Sequence, residues 1–455
     1  MAHNQLEKYN VPVPRYTSYP PANFFHSGVG EKEYLQAVDA SNSEHPSLIS
    51  FYLHMPYCHH LCHYCGCNSY LRPRQSDEET YYQALLKEIE WVTQRIDPSR
   101  KVAQIHFGGG SPSLVSPLWL GKIIEALTRR FSFISTPEIA IECHPGYLER
   151  EGYRQLLELG FNRMSLGIQD FDPRVLQAVH RTPPRLPIQE VQELLSAHGV
   201  PLNLDFIYGL PLQTVESFEA TIRQAIALQP SRMVTFSYAH MPSLFPRQKH
   251  LERYGLPTAE EKAALYAHAR QELTTSGYMQ IGLDHFVLPT DRLYKAKEEH
   301  QLHRNFQGYC TRATTGQVYA FGVSAISQLT SAYAQNSKDI PTYIKSIDQG
   351  HLPIARGYLL TPREQITREV ITTLMCNERV EWAALEEQLK TPKAEILQAI
   401  GYDPTRMKAM EEDGLIVLST DGLRMVHAGS PFLRYVAATL DPLQQGEHGI
   451  YSQPV

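Results

Sequence analysis

No run of apolar residues in this chain approaches the roughly 18 that a membrane span requires. The opening stretch "MAHNQLEKYNVPVPRYTSYPP" lacks the apolar core of a secretory leader. Both absences argue against membrane insertion and export, and a cytoplasmic protein is expected. Basic residues are not in excess either. With 42 Lys and Arg against 48 Asp and Glu, the formal net charge is −6, which argues against broad electrostatic capture of nucleic acid or an anionic bilayer. Any anionic ligand has to be met locally by Arg, Lys and His. Low-complexity tracts and internal repeats are absent too, so neither a disordered chain nor a solenoid fits. What remains is a globular protein, 42% apolar and 20% charged, whose 455 residues suit two or three domains. We read it as a monomer that binds neither nucleic acid nor membrane.

Cysteine is scarce, seven residues in all, yet four of them fall within ten positions. In "YCHHLCHYCGCN", Cys58, Cys62, Cys65 and Cys67 are interleaved with His59, His60 and His63. In a reducing compartment such a group reads as metal ligands rather than a disulfide framework. Structural zinc usually adds a second C-x2-C pair, but Cys143, Cys310 and Cys376 stand alone, so zinc would have to be completed by His59 or His63. The spacing Cys58-x3-Cys62-x2-Cys65 suits instead an iron-sulfur cluster one ligand short of the four thiolates of a complete 4Fe-4S set. The iron left open can bind a small molecule.

From residue 47 a β-rich run, a loop and a helical pattern recur. The runs are "SLISFYLHM", "VAQIHFGGG", "EIAIECHP", "RMSLGIQ", "LNLDFIYG" and "MVTFSYAH". Between the first two, Leu85, Ile89, Val92 and Ile96 recur at helical spacing and form one apolar face. Strands alternating with helices imply parallel strands, and six such units predict an α/β fold with a partial (β/α)6 barrel. In barrels the chemistry gathers where strands run into the following loops. The cysteine stretch, "GGGSPS", Glu142, Gln169 and Asp205 all sit at such strand ends. We divide the chain into an N-terminal arm (1–46), a barrel with extensions (47–355) and a small, mainly helical, winged-helix-like C-terminal domain (356–455). In the last, "DGLIVLSTDGLRMVHAG" reads as a hairpin turning at Asp421 and Gly422. Without a basic stripe it is read as a lid or packing domain rather than a DNA-binding one.

The C-x3-C-x2-C motif after the first strand of a β/α repeat resembles the radical S-adenosylmethionine superfamily. The motifs "PRYTSYP", "CGCN", "GGGSP", "GIQDF", "DFIYGLP", "GLDHF" and "HRNFQGY", in this order, resemble the oxygen-independent coproporphyrinogen III oxidase family. That resemblance implies a cluster on Cys58, Cys62 and Cys65, two S-adenosylmethionine molecules, and a 5′-deoxyadenosyl radical that attacks C–H bonds beside two propionates of coproporphyrinogen III, turning them into vinyls. It implies that Tyr52, Gly109 and Glu142 line the cluster-bound cofactor. Tyr64, Gly110, Ser111, Gln169, Arg181, Asp205, Ala239 and Ile326 would line the second, with Gly66, Phe306 and Gln307 close by. Cys67 is the non-ligand thiol and the candidate catalytic cysteine. Arg15 and Arg304 are candidates for the substrate carboxylates. A donor such as flavodoxin or ferredoxin and an unidentified electron acceptor complete the reaction. His144 departs from the Asp or Asn usual in the family. It keeps open a radical enzyme acting on heme or another tetrapyrrole; a heme-delivery paralogue is a further alternative, but such relatives typically lack the arm and the cysteine at the Cys67 position, both of which this chain has.

Overall fold

Period-two alternation places the six core strands. On β1 (Ile49–Met55), Phe51, Leu53 and Met55 are buried in the main hydrophobic core, while Ser50, Tyr52 and His54 point the other way. The same division holds on β2 (Val102–Gly109), where Ile105 and Phe107 join that core and His106 does not, and on β4 (Arg163–Gln169), where Met164, Leu166 and Ile168 do. One face of each strand packs on helices and the other, carrying most of the polar groups, faces a lumen. The computed structural model describes residues 8–445. With β3 (Phe133–Cys143), β5 (Leu202–Tyr208) and β6 (Arg232–Ser237), these strands pair in chain order, all parallel.

Helices carry the chain back between them: α1 (Gln75–Thr93), α2 (Pro117–Thr128), α3 (Arg150–Glu158), α4 (Ile188–Ala197) and α5 (Val215–Ala227). Helix α1 buries Leu85, Ile89 and Val92 fully, as its spacing predicts, each such side chain stabilising the fold by about 1.5–3 kcal/mol. Helix α5 starts at a capping box in which Thr214 accepts from the Ser217 N–H at 3.2 Å and Ser217 accepts from the Thr214 N–H at 2.9 Å.

The sheet continues past both ends of this array. Beyond β6 lie antiparallel β7 (Met279–Ile281) and β8 (His285–Val287). Beyond β1 lies β11 (Gln317–Phe321), parallel to it, then antiparallel β12 (Ile326–Gln328), β13 (Ala332–Asn336) and β14 (Ile354–Leu359). A hairpin, β9 (Leu302–Asn305) and β10 (Gly308–Thr311), packs Leu302 and Tyr309 against Val287.

The C-terminal part packs α6 (Pro362–Asn377) and further helices on a three-stranded sheet of β15 (Arg379–Glu381), β17 (Gly422–Met425) and β16 (Ile416–Leu418). The hairpin read at Asp421 and Gly422 is the β16–β17 pair. The arm belongs to this core by packing, since Tyr9, Tyr16 and Tyr19 are buried among its residues. No helix among the described residues is long and apolar enough to cross a membrane.

Candidate active site

The cysteines occupy the loop leaving β1, and backbone bonds hold that loop against the strand ends. Tyr70 N–H donates to Pro56 O at 2.8 Å, Arg72 N–H to Cys58 O at 2.9 Å and His63 N–H to Val179 O at 3.0 Å. Side chains add a second set. His54 is tied to Asn68 O through Nε2 at 3.0 Å, so its Nδ1 is the acceptor for the Tyr52 hydroxyl at 3.2 Å. Buried Gln248 fastens the loop to the end of β6. Its Nε2 donates to Tyr64 O at 3.0 Å and Ala239 O at 3.2 Å, while Oε1 accepts from Met241 N–H at 2.5 Å.

The thiols have distinct surroundings. Ser111 donates to Cys58 Sγ at 3.5 Å, Arg181 donates to Cys62 Sγ at 3.5 Å, and the Cys67 N–H donates to Cys65 Sγ at 3.4 Å. Burial pushes the Cys58 thiol up to about 11, whereas hydrogen bonding from Cys67 draws Cys65 down to about 6. Cys62 is buried and Cys67 is the exposed one of the four. Among the described residues no group of three or more His, Cys, Asp or Glu converges as one metal ion requires. A polynuclear cluster, in which each thiolate takes its own iron, makes no such demand.

Opposite this loop lies the glycine run after β2. A Cβ on Gly110 would lie 2.7 Å from the Pro56 carbonyl, and one on Gly109, whose φ is +114°, would lie 2.7 Å from the His54 ring. Only glycine lets the strand end approach the cysteine loop this closely. Glycine backbone running into Ser111, which bonds Cys58, is a cradle that fits a cluster and a charged small molecule together.

Lumen acids line the neighbouring strands, Glu142 next to last on β3 but Asp205 in the middle of β5, not at its end as the sequence suggests. Glu142 accepts from His106 Nε2 at 3.0 Å and from the Gly109 N–H at 3.3 Å. Burial works most strongly against its ionisation, but the bond and charge of His106, the Gly109 N–H and the charge of His54 together outweigh it and hold the carboxyl below its usual range. Tyr52 stacks on His106 with ring centroids 5.9 Å apart. Asp205 accepts from Ser165 at 2.6 Å and Asn203 at 2.9 Å; burial, with the charge of Glu142, raises its pKa against those bonds. Gln169, at a register shift in β4, has φ 71°, a left-handed backbone that turns its side chain beside Arg181 and over Gly167. Arg181 donates to the Tyr64 hydroxyl at 2.9 Å and to Gly167 O.

The remaining candidates spread outward from this centre. Gly66 abuts Phe245, and Phe306, at the β9–β10 tip beside Gln307, sits with Ile326, Phe25 and Tyr333 in one small cluster. Arg304 lies over the Tyr309 ring at 4.8 Å, and Arg304 and Arg15 both act electrostatically on Asp284. His144 is buried, stacked on Tyr147 at 3.8 Å, and accepts from Gly146 N–H at 3.1 Å through Nδ1. Its Nε2 has no partner, and burial beside Arg181 keeps the ring neutral with a pKa of about 2. Sequence reasoning missed His54, His106, Ser165, Asn203 and Gln248. The first four were findable, because each lies two residues along a strand from a residue already singled out or pairs with one across the sheet. Gln248 carried no signal, since its role exists only through contacts 184 and 9 residues away.

A barrel of parallel β/α units that presents three thiols from its first loop to bare glycine backbone defines a radical S-adenosylmethionine protein, and residues 52–225 match the Radical SAM superfamily model. Residues 360–432 match the HemN C-terminal domain. The oxygen-independent coproporphyrinogen III oxidases of Pseudomonas aeruginosa and Escherichia coli are 37% and 36% identical to the chain, each aligned over 96% of it and 94% of the relative. The solved Escherichia coli coproporphyrinogen III oxidase, described as a radical SAM enzyme, superposes with a TM-score of 0.86 at 35% identity, covering 94% of this chain and 97% of that one. This chain belongs to the oxygen-independent coproporphyrinogen III oxidase family.

Proposed function

We infer that this chain decarboxylates two propionates of coproporphyrinogen III to vinyl groups without oxygen, in heme biosynthesis. The observation that carries the reading is the pairing of the three-thiol loop with a lumen whose mouth bears Glu142, Gln169, Arg181 and Asp205. When bound, the cluster and S-adenosylmethionine supply a 5′-deoxyadenosyl radical. Each propionate then gives up one hydrogen atom from the carbon next to the ring, carbon dioxide, and one electron to an acceptor outside the chain.

Cys58, Cys62 and Cys65 would hold the cluster, with Ser111, Arg181 and the Cys67 N–H steadying one thiolate each. Glu142 and Tyr52 suit the charged end of the first S-adenosylmethionine. Tyr64, Gly110, Ser111, Gln169, Arg181, Asp205, Ala239 and Ile326 would line a second, where the forked guanidinium of Arg181 suits a carboxylate and Asp205 suits ribose hydroxyls. Phe306 and Gln307 close the far wall. Cys67 stands next to the cluster without serving it, free for a later proton or hydrogen transfer. Arg15 and Arg304 would meet substrate carboxylates, and an acidic flavodoxin or ferredoxin suits the role of donor.

The test is an anaerobic assay of reconstituted protein with dithionite, S-adenosylmethionine and coproporphyrinogen III, following 5′-deoxyadenosine and tetrapyrroles by mass. Monovinyl and divinyl products are expected; deoxyadenosine without them would transfer the reading to another tetrapyrrole, heme first. Cys58→Ala should abolish cluster absorbance and deoxyadenosine together, from about four irons per chain in the parent. Cys67→Ser should keep the iron and lose turnover.

A further inference from the structure

The motif "GLDHF" is not absorbed by the cluster or by either cofactor site, yet it places an Asp–His pair at the open flank of the barrel. His285 Nδ1 lies 2.7 Å from Asp284 Oδ1. His285 pairs across the sheet with Val234 while its neighbour Phe286 pairs with Met233, which is in the helix-covered core, so His285 faces the lumen. There its ring meets Tyr309 edge-on at 5.1 Å, and its Nε2 lies 3.8 Å from where a Cβ on Gly308 would stand. His285 and Asp205 both pair with Val234, one from each side, so the pair is continuous with the catalytic lumen. Burial would favour a neutral Asp284, but His285, followed by Arg304 and Arg15, holds the carboxyl below its usual range.

Two further observations point to a ligand here. Arg304 Nε is buried and has no partner. Half of the ten exposed large apolar side chains among the described residues, Leu212, Phe236, Met241, Leu244 and Leu283, lie on or just after β5 and β6 or in the β7–β8 turn. Of these, Leu283 adjoins Asp284 in the turn and Phe236 meets the His285 ring edge-on at 6.5 Å, so exposed apolar surface lies beside this one anion, as at a binding surface.

This charge pattern complements one class of molecule. A porphyrinogen carries pyrrole N–H groups at its centre, carboxylates at its rim and apolar ring faces between. We propose that Asp284 is a substrate-binding residue whose carboxylate accepts the central pyrrole N–H groups, while Arg304 and Arg15 meet rim carboxylates and Phe236 and Leu283 lie against the ring. An Asp carboxylate offers about four acceptor sites, so one bond to His285 leaves capacity for more, and bonds to the charged form are the strong kind. His285 is a positioning residue, fixing the carboxylate's direction.

The proposal rests on the tetrapyrrole reading above, and its test separates the two. Binding of coproporphyrin III and of its palladium(II) complex to reconstituted protein is followed by fluorescence quenching or absorbance. The complex keeps all four carboxylates, has no N–H and takes no axial ligand. Asp284→Asn should weaken coproporphyrin III about tenfold and raise the KM for coproporphyrinogen III to match, leaving iron content, substrate-free deoxyadenosine formation and palladium-complex affinity unchanged. Asp284→Glu, which keeps the charge, should recover most of the loss. Equal affinity of parent and Asp284→Asn for coproporphyrin III, or an equal loss for both ligands, would overturn the role of Asp284 and leave the tetrapyrrole reading standing. Failure of the parent to bind or turn over any coproporphyrin species would overturn both.

Discussion

Glu88 shows how far a single buried residue departs from its solution chemistry. It accepts from Tyr343 at 2.6 Å, Asn336 at 2.6 Å and the Gly322 N–H at 2.8 Å, tying α1 to the sheet's far side, yet burial still raises its pKa from 4.5 to about 7. The folded protein therefore keeps a proton that the unfolded chain releases. Its contribution is fully present below pH 4.5 and is lost as pH rises to about 7. The loss amounts to about 3 kcal/mol. Denaturant unfolding at pH 5 and pH 8 should show a fall in stability that is smaller by about this amount in Glu88→Gln, whatever the offset between the two proteins. Gly109 is the second case. Its φ of +114° and the 2.7 Å approach to His54 mean that Gly109→Ala should lower stability by more than about 1 kcal/mol. Thermal unfolding checks this, and deoxyadenosine formation should fall with it as His54 is displaced.

Among the elements, the cysteine loop depends most on distant parts of the chain. Gln248 is its clasp to the β6 end, and three backbone groups lose their partner if it goes. Each buried group left unpaired costs about 1–3 kcal/mol. Gln248→Leu should therefore release iron to a chelator about tenfold faster than the parent while folding with the same secondary structure. An unchanged rate would mean that the loop is held by its own backbone bonds. The strand ends carry much of the chemistry for a related reason: parallel strands aim their C-terminal ends at one mouth, so Glu142 and Gln169 converge there, with Asp205 midway along β5, without being near in sequence.

At the scale of the whole molecule, the arm and the C-terminal core act as one body. The Tyr16 hydroxyl donates to Asp441 at 2.8 Å, Arg434 Nε donates to Pro14 O at 3.1 Å, and Tyr9 packs on Phe432 and Tyr435. Asp441 is 2% exposed and also accepts from the Leu443 N–H at 2.9 Å, so Tyr16→Phe removes one of its buried bonds and should cost about 1 kcal/mol. Limited proteolysis should then cut the arm first, between residues 10 and 30, before the barrel is touched. Because Arg15 rides on this arm and acts on Asp284, the same change should also weaken tetrapyrrole binding.

The chain's own pattern determined what depends on local order: the period-two runs that became six parallel strands, the helical face of Leu85, Ile89 and Val92, the three-thiol spacing and the glycine run. Each is a short-range regularity, and short-range regularities survive in one dimension. The flanking strands β11 to β14 escaped notice because they break the β/α alternation: β11 pairs with distant Ile49–Leu53, and β12 to β14 then follow as a short antiparallel meander without helices between most of them. Only the tertiary structure decided which donors bind Glu142 and Asp205, which arginines act on Asp284 and which glutamine holds the loop. Burial and pairing across tens to hundreds of residues set those properties, and sequence spacing does not encode the distance between groups on different strands.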